Sequence, residues 1–66
     1  MKNTIKVERA KKDITQADLA DAIGVSRQTI NAMEAGKYVP STLLALKIAR
    51  YFGVKVEDIF ILEPGD

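Results

Sequence analysis

Apolar residues recur at helical spacing along most of this chain, and capping and stop residues divide it into five helical segments. The first runs from Thr4 to Lys12, with Ile5 its clearest apolar position and Val7 and Ala10 as further core candidates. It is short and highly charged, so it depends on tertiary packing. The second opens at Thr15, where Thr15-Gln16-Ala17-Asp18 resembles a capping box with Asp in the usual Glu position. Leu19, Ala20 and Ile23 mark its apolar side, and Gly24 stops it. The third is capped by Ser26, carries Ile30 and Met33 on one face, and stops at Gly36. After the loop Lys37-Tyr38-Val39-Pro40, Ser41 or Thr42 caps a fourth helix bearing Leu43, Leu44, Leu46, Ile48, Ala49 and Phe52. This most apolar segment is the expected core helix, closed by Gly53. Val56 to Ile59 makes one further turn. Phe60-Ile61-Leu62-Glu63 reads as a short extended piece able to pair with Met1–Asn3, and Pro64-Gly65-Asp66 is a tail.

The expected fold is therefore all-α: a four- or five-helix bundle, one domain over residues 1–66, with a short terminal strand pair. Within it, Gln16 to Met33 has the residue types of two helices meeting steeply across a tight turn. Ala20 is small where the third helix passes. Gly24 supplies a positive φ in the turn. Leu19, Ile30 and Met33 fill the wedge. An ordinary helical hairpin with a glycine turn meets some of these constraints; a DNA-binding helix-turn-helix meets them together.

Composition narrows the function classes. Cysteine and histidine are absent, which removes disulfides, the usual zinc ligands and His- or Cys-based catalysis. Glu57 with Asp58 and Asp18 with Asp21 are the only paired carboxylates, and they read as cap and surface. There is no Gly-rich phosphate loop and no nucleophile–base pair. The expectation is no enzyme, no cofactor and no metal. No apolar run approaches a membrane span, and the N-terminus lacks a signal-peptide core, so a cytoplasmic location is expected.

A net charge of +1 says little, but its distribution says more. Residues 1–12 set Lys2, Lys6, Arg9, Lys11 and Lys12 against Glu8, and residues 25–52 set Arg27, Lys37, Lys47 and Arg50 against Glu34. Residues 13–24 hold only acids, and residues 53–66 set Lys55 against four. Such separation suits one basic face with an acidic end turned elsewhere; an ordinary solvated surface is the plain alternative.

The segments TQADLA, GVSRQTINAMEAGK and the P-x-x-x-x-x-L-x-I-A pattern of the fourth helix together resemble the Cro/C1-type (Xre) helix-turn-helix family. The resemblance spans about residues 4–60 and is strongest to short, stand-alone members. It implies a transcriptional regulator, a repressor by expectation, binding palindromic double-stranded DNA as a homodimer. Ser26, Arg27, Gln28 and Thr29 then open the recognition helix, whose N-terminal end points into the major groove. Arg27 has two candidate targets, guanine O6 and N7 or a phosphate; Gln28 has adenine N6 and N7, or a surface role. Ala32 matches a base-reading position but offers only a methyl contact to thymine. Gln16, Ser26, Thr29, Asn31, Lys37 and Tyr38 are the candidate backbone contacts, with Gln16 at a helix start suited to phosphate. For Tyr38, packing over Pro40 is the alternative. Ala35 departs from a family position that is often polar, so one phosphate contact is missing. Arg9 and Glu34 resemble a structural salt bridge between the first and third helices. Glu8 departs from an apolar family position: either Val7 takes the core role, or Glu8 pairs with a cation.

One recognition helix reads only a few base pairs, and two-fold dimers bind half-sites about 34 Å apart. The candidate dimer segment is residues 54–63, with Val54, Val56, Phe60, Ile61 and Leu62; in the alternative, Phe60 plugs its own core. The rival function is a protein-binding module such as an antitoxin, a class that overlaps with DNA binding.

Overall fold

Left-handed backbone at three of the helix ends is what turns this chain from one helix into the next. The computed structural model describes all residues, 1–66. In chain order they form β1 (Lys2–Asn3), α1 (Ile5–Lys12), α2 (Gln16–Ile23), α3 (Arg27–Glu34), α4 (Thr42–Phe52), α5 (Val56–Ile59) and β2 (Phe60–Ile61). The capping box on α2 is complete: the Thr15 hydroxyl accepts from the Asp18 amide and the Asp18 carboxylate accepts from the Thr15 amide, both at 3.0 Å. Ser26 and Ser41 cap α3 and α4 in the same side-chain-to-backbone manner.

The C-terminal ends close by Schellman-type bonding. At α2, Gly24 has φ of 77° and the Val25 amide donates back to the Ala20 carbonyl at 3.0 Å. At α1 the same position is taken by Asp13, with φ of 55°, the only non-glycine residue with positive φ. Stop chemistry read from glycines alone does not find this one.

The core is wholly apolar. Ile5, Leu19, Ile30, Met33, Ile48 and Ile59 are fully enclosed. Each contributes roughly 1.5–3 kcal/mol of burial free energy. Leu44, Ile48 and Phe52 lie four apart on α4 and, with Ala49, turn one arc of that helix inward. Leu43 and Leu46 fall outside this arc and are 65% and 52% exposed, so the core share of α4 is smaller than its apolar content implies. Helix α1 is corrected in the same sense. Ile5 and Arg9, four apart, face inward, which sends Val7 and Ala10 to solvent. Glu8 accepts from Lys11 at 3.1 Å, so of its two readings the cation pair holds.

β1 pairs antiparallel with β2, Lys2 opposite Ile61 and Asn3 opposite Phe60. The all-α fold with a terminal strand pair is thus as expected. Asn3 adds a link with no signature in the sequence: its amide nitrogen donates to the Met33 carbonyl at 2.7 Å and its oxygen accepts from the Ile5 amide at 3.2 Å. One side chain thereby caps α1 and holds the end of α3 beneath the strand pair.

Candidate nucleic-acid interface

The outward face of α3 is built by the inward one. Ile30 and Met33 are buried against α2, which leaves Arg27, Gln28 and Asn31 exposed and Ala32 at the margin. Arg27, Gln28, Asn31, Ala32, Ala35 and Lys37 line one shallow hollow. Arg27 also borders a second hollow, formed with Arg9, Ile14, Thr15, Gln16 and Ala17. It therefore stands on the ridge between α3 and the start of α2, and of the sequence candidates Gln16, Arg27, Gln28, Asn31, Ala32 and Lys37 share one continuous strip.

Neither Arg27 nor Lys37 enters any of the ion pairs of the fold, so both cations are free for an external anion. Lys37 is placed by the end of α3. The Gly36 amide donates to the Met33 carbonyl and the Lys37 amide to the Ala32 carbonyl, at 3.0 and 2.9 Å. This fixes the Lys37 backbone against the last turn, one step past Gly36. Tyr38 is 44% exposed beside it.

Three candidates have structural duties. The Ser26 hydroxyl accepts from the Thr29 amide at 3.1 Å, and the two hydroxyls share a 2.9 Å hydrogen bond. This shared bond uses one of the two hydroxyl protons, so the other is free to point outward. Gln16 is half-buried, and its amide nitrogen donates to Glu34 at 3.2 Å. It also lines the second hollow. At the start of α2 the Thr15 and Asp18 amides are satisfied by each other's side chains, which leaves the Gln16 and Ala17 amides as the available anion donors.

Behind the strip, Arg9 grips Glu34 with Nε to Oε2 at 2.6 Å and Nη2 to Oε1 at 3.0 Å, while Nη1 donates to the Ile14 carbonyl at 3.0 Å. Burial pushes the Glu34 carboxyl up; hydrogen bonds from Arg9 and Gln16, with the charges of Arg9 and Lys6, outweigh it and hold the group below the usual range. The hydrogen bond to Glu34 holds Arg9 above its ordinary value against the opposing effect of burial. Arg9 is thus committed to the scaffold. Sequence reading placed the Arg9–Glu34 pair but not Gln16 as its third member, because that meeting depends on the angle between α2 and α3.

Residues 5–59 match the helix-turn-helix family profile. The chain belongs to the Cro/C1-type helix-turn-helix family. An uncharacterised HTH-type transcriptional regulator of Methanocaldococcus jannaschii is 64% identical over 66 residues, the whole of both chains. One from Bacillus subtilis is 52% identical over 63 residues, covering 96% of each. Multiprotein-bridging factor 1 of Debaryomyces hansenii is 42% identical over 60 residues, which is 91% of this chain and 40% of that one. No helix is long and apolar enough to cross a membrane.

Proposed function

We propose that this chain binds a palindromic operator in double-stranded DNA as a homodimer and represses transcription by occupying that site. Family membership supports DNA-binding regulation. The observation that carries the reading is the continuous strip from the α2 start across Arg27 to Lys37, with Arg27 and Lys37 in no ion pair. In this reading Arg27 and Gln28 read base edges in the major groove, and Ala32 offers its methyl to a thymine. Gln16, Ser26, Thr29, Asn31, Lys37 and Tyr38 hold the phosphate backbone, with the Gln16 and Ala17 amides aiding at the α2 start. Each bidentate base contact is worth about 1–3 kcal/mol of discrimination. Residues 54–63 take part in dimerisation; Ile61 and Leu62 are their most exposed apolar members, at 43% and 78%.

Selection of binding sites from random duplex DNA tests the reading. Two inverted half-sites with centres about one helical turn apart are expected. Enrichment of a lone, unrepeated site would overturn the dimeric palindrome, and no enrichment would overturn sequence-specific binding. The selected operator placed across a promoter should lower transcription in proportion to occupancy; a rise would overturn repression.

A further inference from the structure

The solvent side of α4 is divided. Its first half presents Leu43 and Leu46, three apart and both more than half exposed, and its second half presents Lys47 and Arg50. Val39, 67% exposed, precedes the helix. Leu46 also forms one wall of an apolar groove whose other side is Val56 and Phe60, so the patch runs from α4 onto α5 and the strand end. Phe60 is 8% exposed and fills the protomer's own core, and strand alternation turns Ile61 to the other side of the sheet. Glu57, next to Val56 on α5, is exposed and in no ion pair.

We propose that a second copy of this chain docks on this patch about a two-fold axis, centred on Leu43 and Leu46 with Val39 at its edge. The inference rests on the homodimer reading above and moves its centre from residues 54–63 to the first half of α4. Three observations select a copy of the same chain. First, the patch has a basic flank, Lys47 and Arg50, and an acidic flank at Glu57. An isologous contact sets each copy's one side against the partner's other side, so Arg50 meets an acid and not a cation. Second, the two strips must face the same duplex, so the interface has to lie beside α3 and not behind it. Val39 follows Glu34 by five residues, a reach of at most about 18 Å even when extended, and the groove lies next to it. Third, so small a domain leaves a large share of its surface in water, and the partner copy covers its main apolar exposure. In this arrangement the loop carrying Lys37 and Tyr38 joins the DNA strip to the dimer contact, so dimerisation orders the phosphate contacts nearest the two-fold axis.

Sedimentation equilibrium of the full chain tests this, comparing wild type with Leu43→Lys/Leu46→Lys. Both side chains are solvent-exposed, so the helical circular-dichroism signal should be unchanged. The wild type is expected to dimerise and the variant to be weakened about thirtyfold or more. A folded variant that dimerises as the wild type does would overturn this patch while leaving the homodimer reading intact. A wild type that is monomeric with and without operator DNA would overturn both. Should the double variant fail to fold, single-cysteine variants decide the matter, because the chain has no native cysteine. Leu43→Cys or Leu46→Cys is expected to give oxidised dimer in preference to Ala22→Cys on α2; equal cross-linking would overturn the proposal.

Discussion

Arg9 and Glu34 face one another in a forked ion pair, Nε to Oε2 at 2.6 Å and Nη2 to Oε1 at 3.0 Å, with their side chains only 15% and 7% exposed. The pair ties α1 to the far end of α3, and Gln16 extends it to α2. Removing one partner strands the other in a partly dry site. Glu34→Gln is therefore expected to cost about 2–3 kcal/mol, below the range for a fully buried pair because solvent still reaches Arg9. Arg9→Met should cost somewhat less, since Gln16 still donates to Glu34. A double-mutant cycle on urea unfolding should return a favourable coupling; strict additivity would show that the fork contributes nothing.

The same pair gives stability a pH signature. The Glu34 carboxyl is held below its ordinary value in the folded chain, so the unfolded state takes up its proton first on acidification. The contribution is fully present above the unfolded-state pKa of about 4.3. It falls as pH drops through the lower folded value. Melting temperature should decline with acid below about pH 4.5, and Glu34→Gln should flatten that decline. An unchanged slope in the variant would place the acid sensitivity elsewhere.

Two turn residues have opposite expected responses. Gly24, at φ of 77°, has open space where a Cβ would stand, so Gly24→Ala meets no clash and suffers only the left-handed backbone cost of about 1–2 kcal/mol. Asp13, at φ of 55°, already bears such a cost. Asp13→Gly should relieve it and leave a net gain of up to about 1 kcal/mol after the extra entropy of the unfolded chain. Thermal melts of the two variants should move in opposite directions.

Asn3 was invisible as a structural residue, and its case shows what the chain's pattern does and does not carry. Caps, stops and apolar spacing act between near neighbours, so the five helices, the Thr15–Asp18 box and the wedge of Leu19, Ile30 and Met33 were legible. The terminal strand pair was legible too, because a short apolar run at one end needed a cover. The rotation of α1 was not: Ile5, Val7 and Ala10 are all plausible inward residues until Arg9 is seen to point at Glu34. The burial of only one of the three leucines on α4 had a signal, the four-residue spacing of Leu44, Ile48 and Phe52, but overall apolarity masked it. Gln16 and Asn3 bind partners 18 and 30 residues away, which no local pattern encodes. Asn3→Ala removes both a cap and the bond to the Met33 carbonyl, and should cost about 1–3 kcal/mol by chemical denaturation.

Lys37 and Arg27 are both free cations on one strip, and the proposed function assigns them different tasks. Lys37 sits past the end of α3, where its reach is to phosphate, so Lys37→Ala should weaken binding to all duplexes by a similar factor. Arg27 stands on the ridge at the start of α3, and the proposed function gives its guanidinium a guanine edge to read. Arg27→Ala should weaken the selected operator by about 1–3 kcal/mol and relax preference at one base pair per half-site, and Gln28→Ala should do so at a different one. Salt dependence separates the two cations further. Each phosphate contact removed lowers the slope of log K against log salt by about one, so Lys37→Ala should lower it by about one per protomer. An Arg27→Ala variant with unaltered base preference and a lowered salt slope would reassign Arg27 to the backbone. Unaltered specificity in both the Arg27 and Gln28 variants would remove base reading from the start of α3.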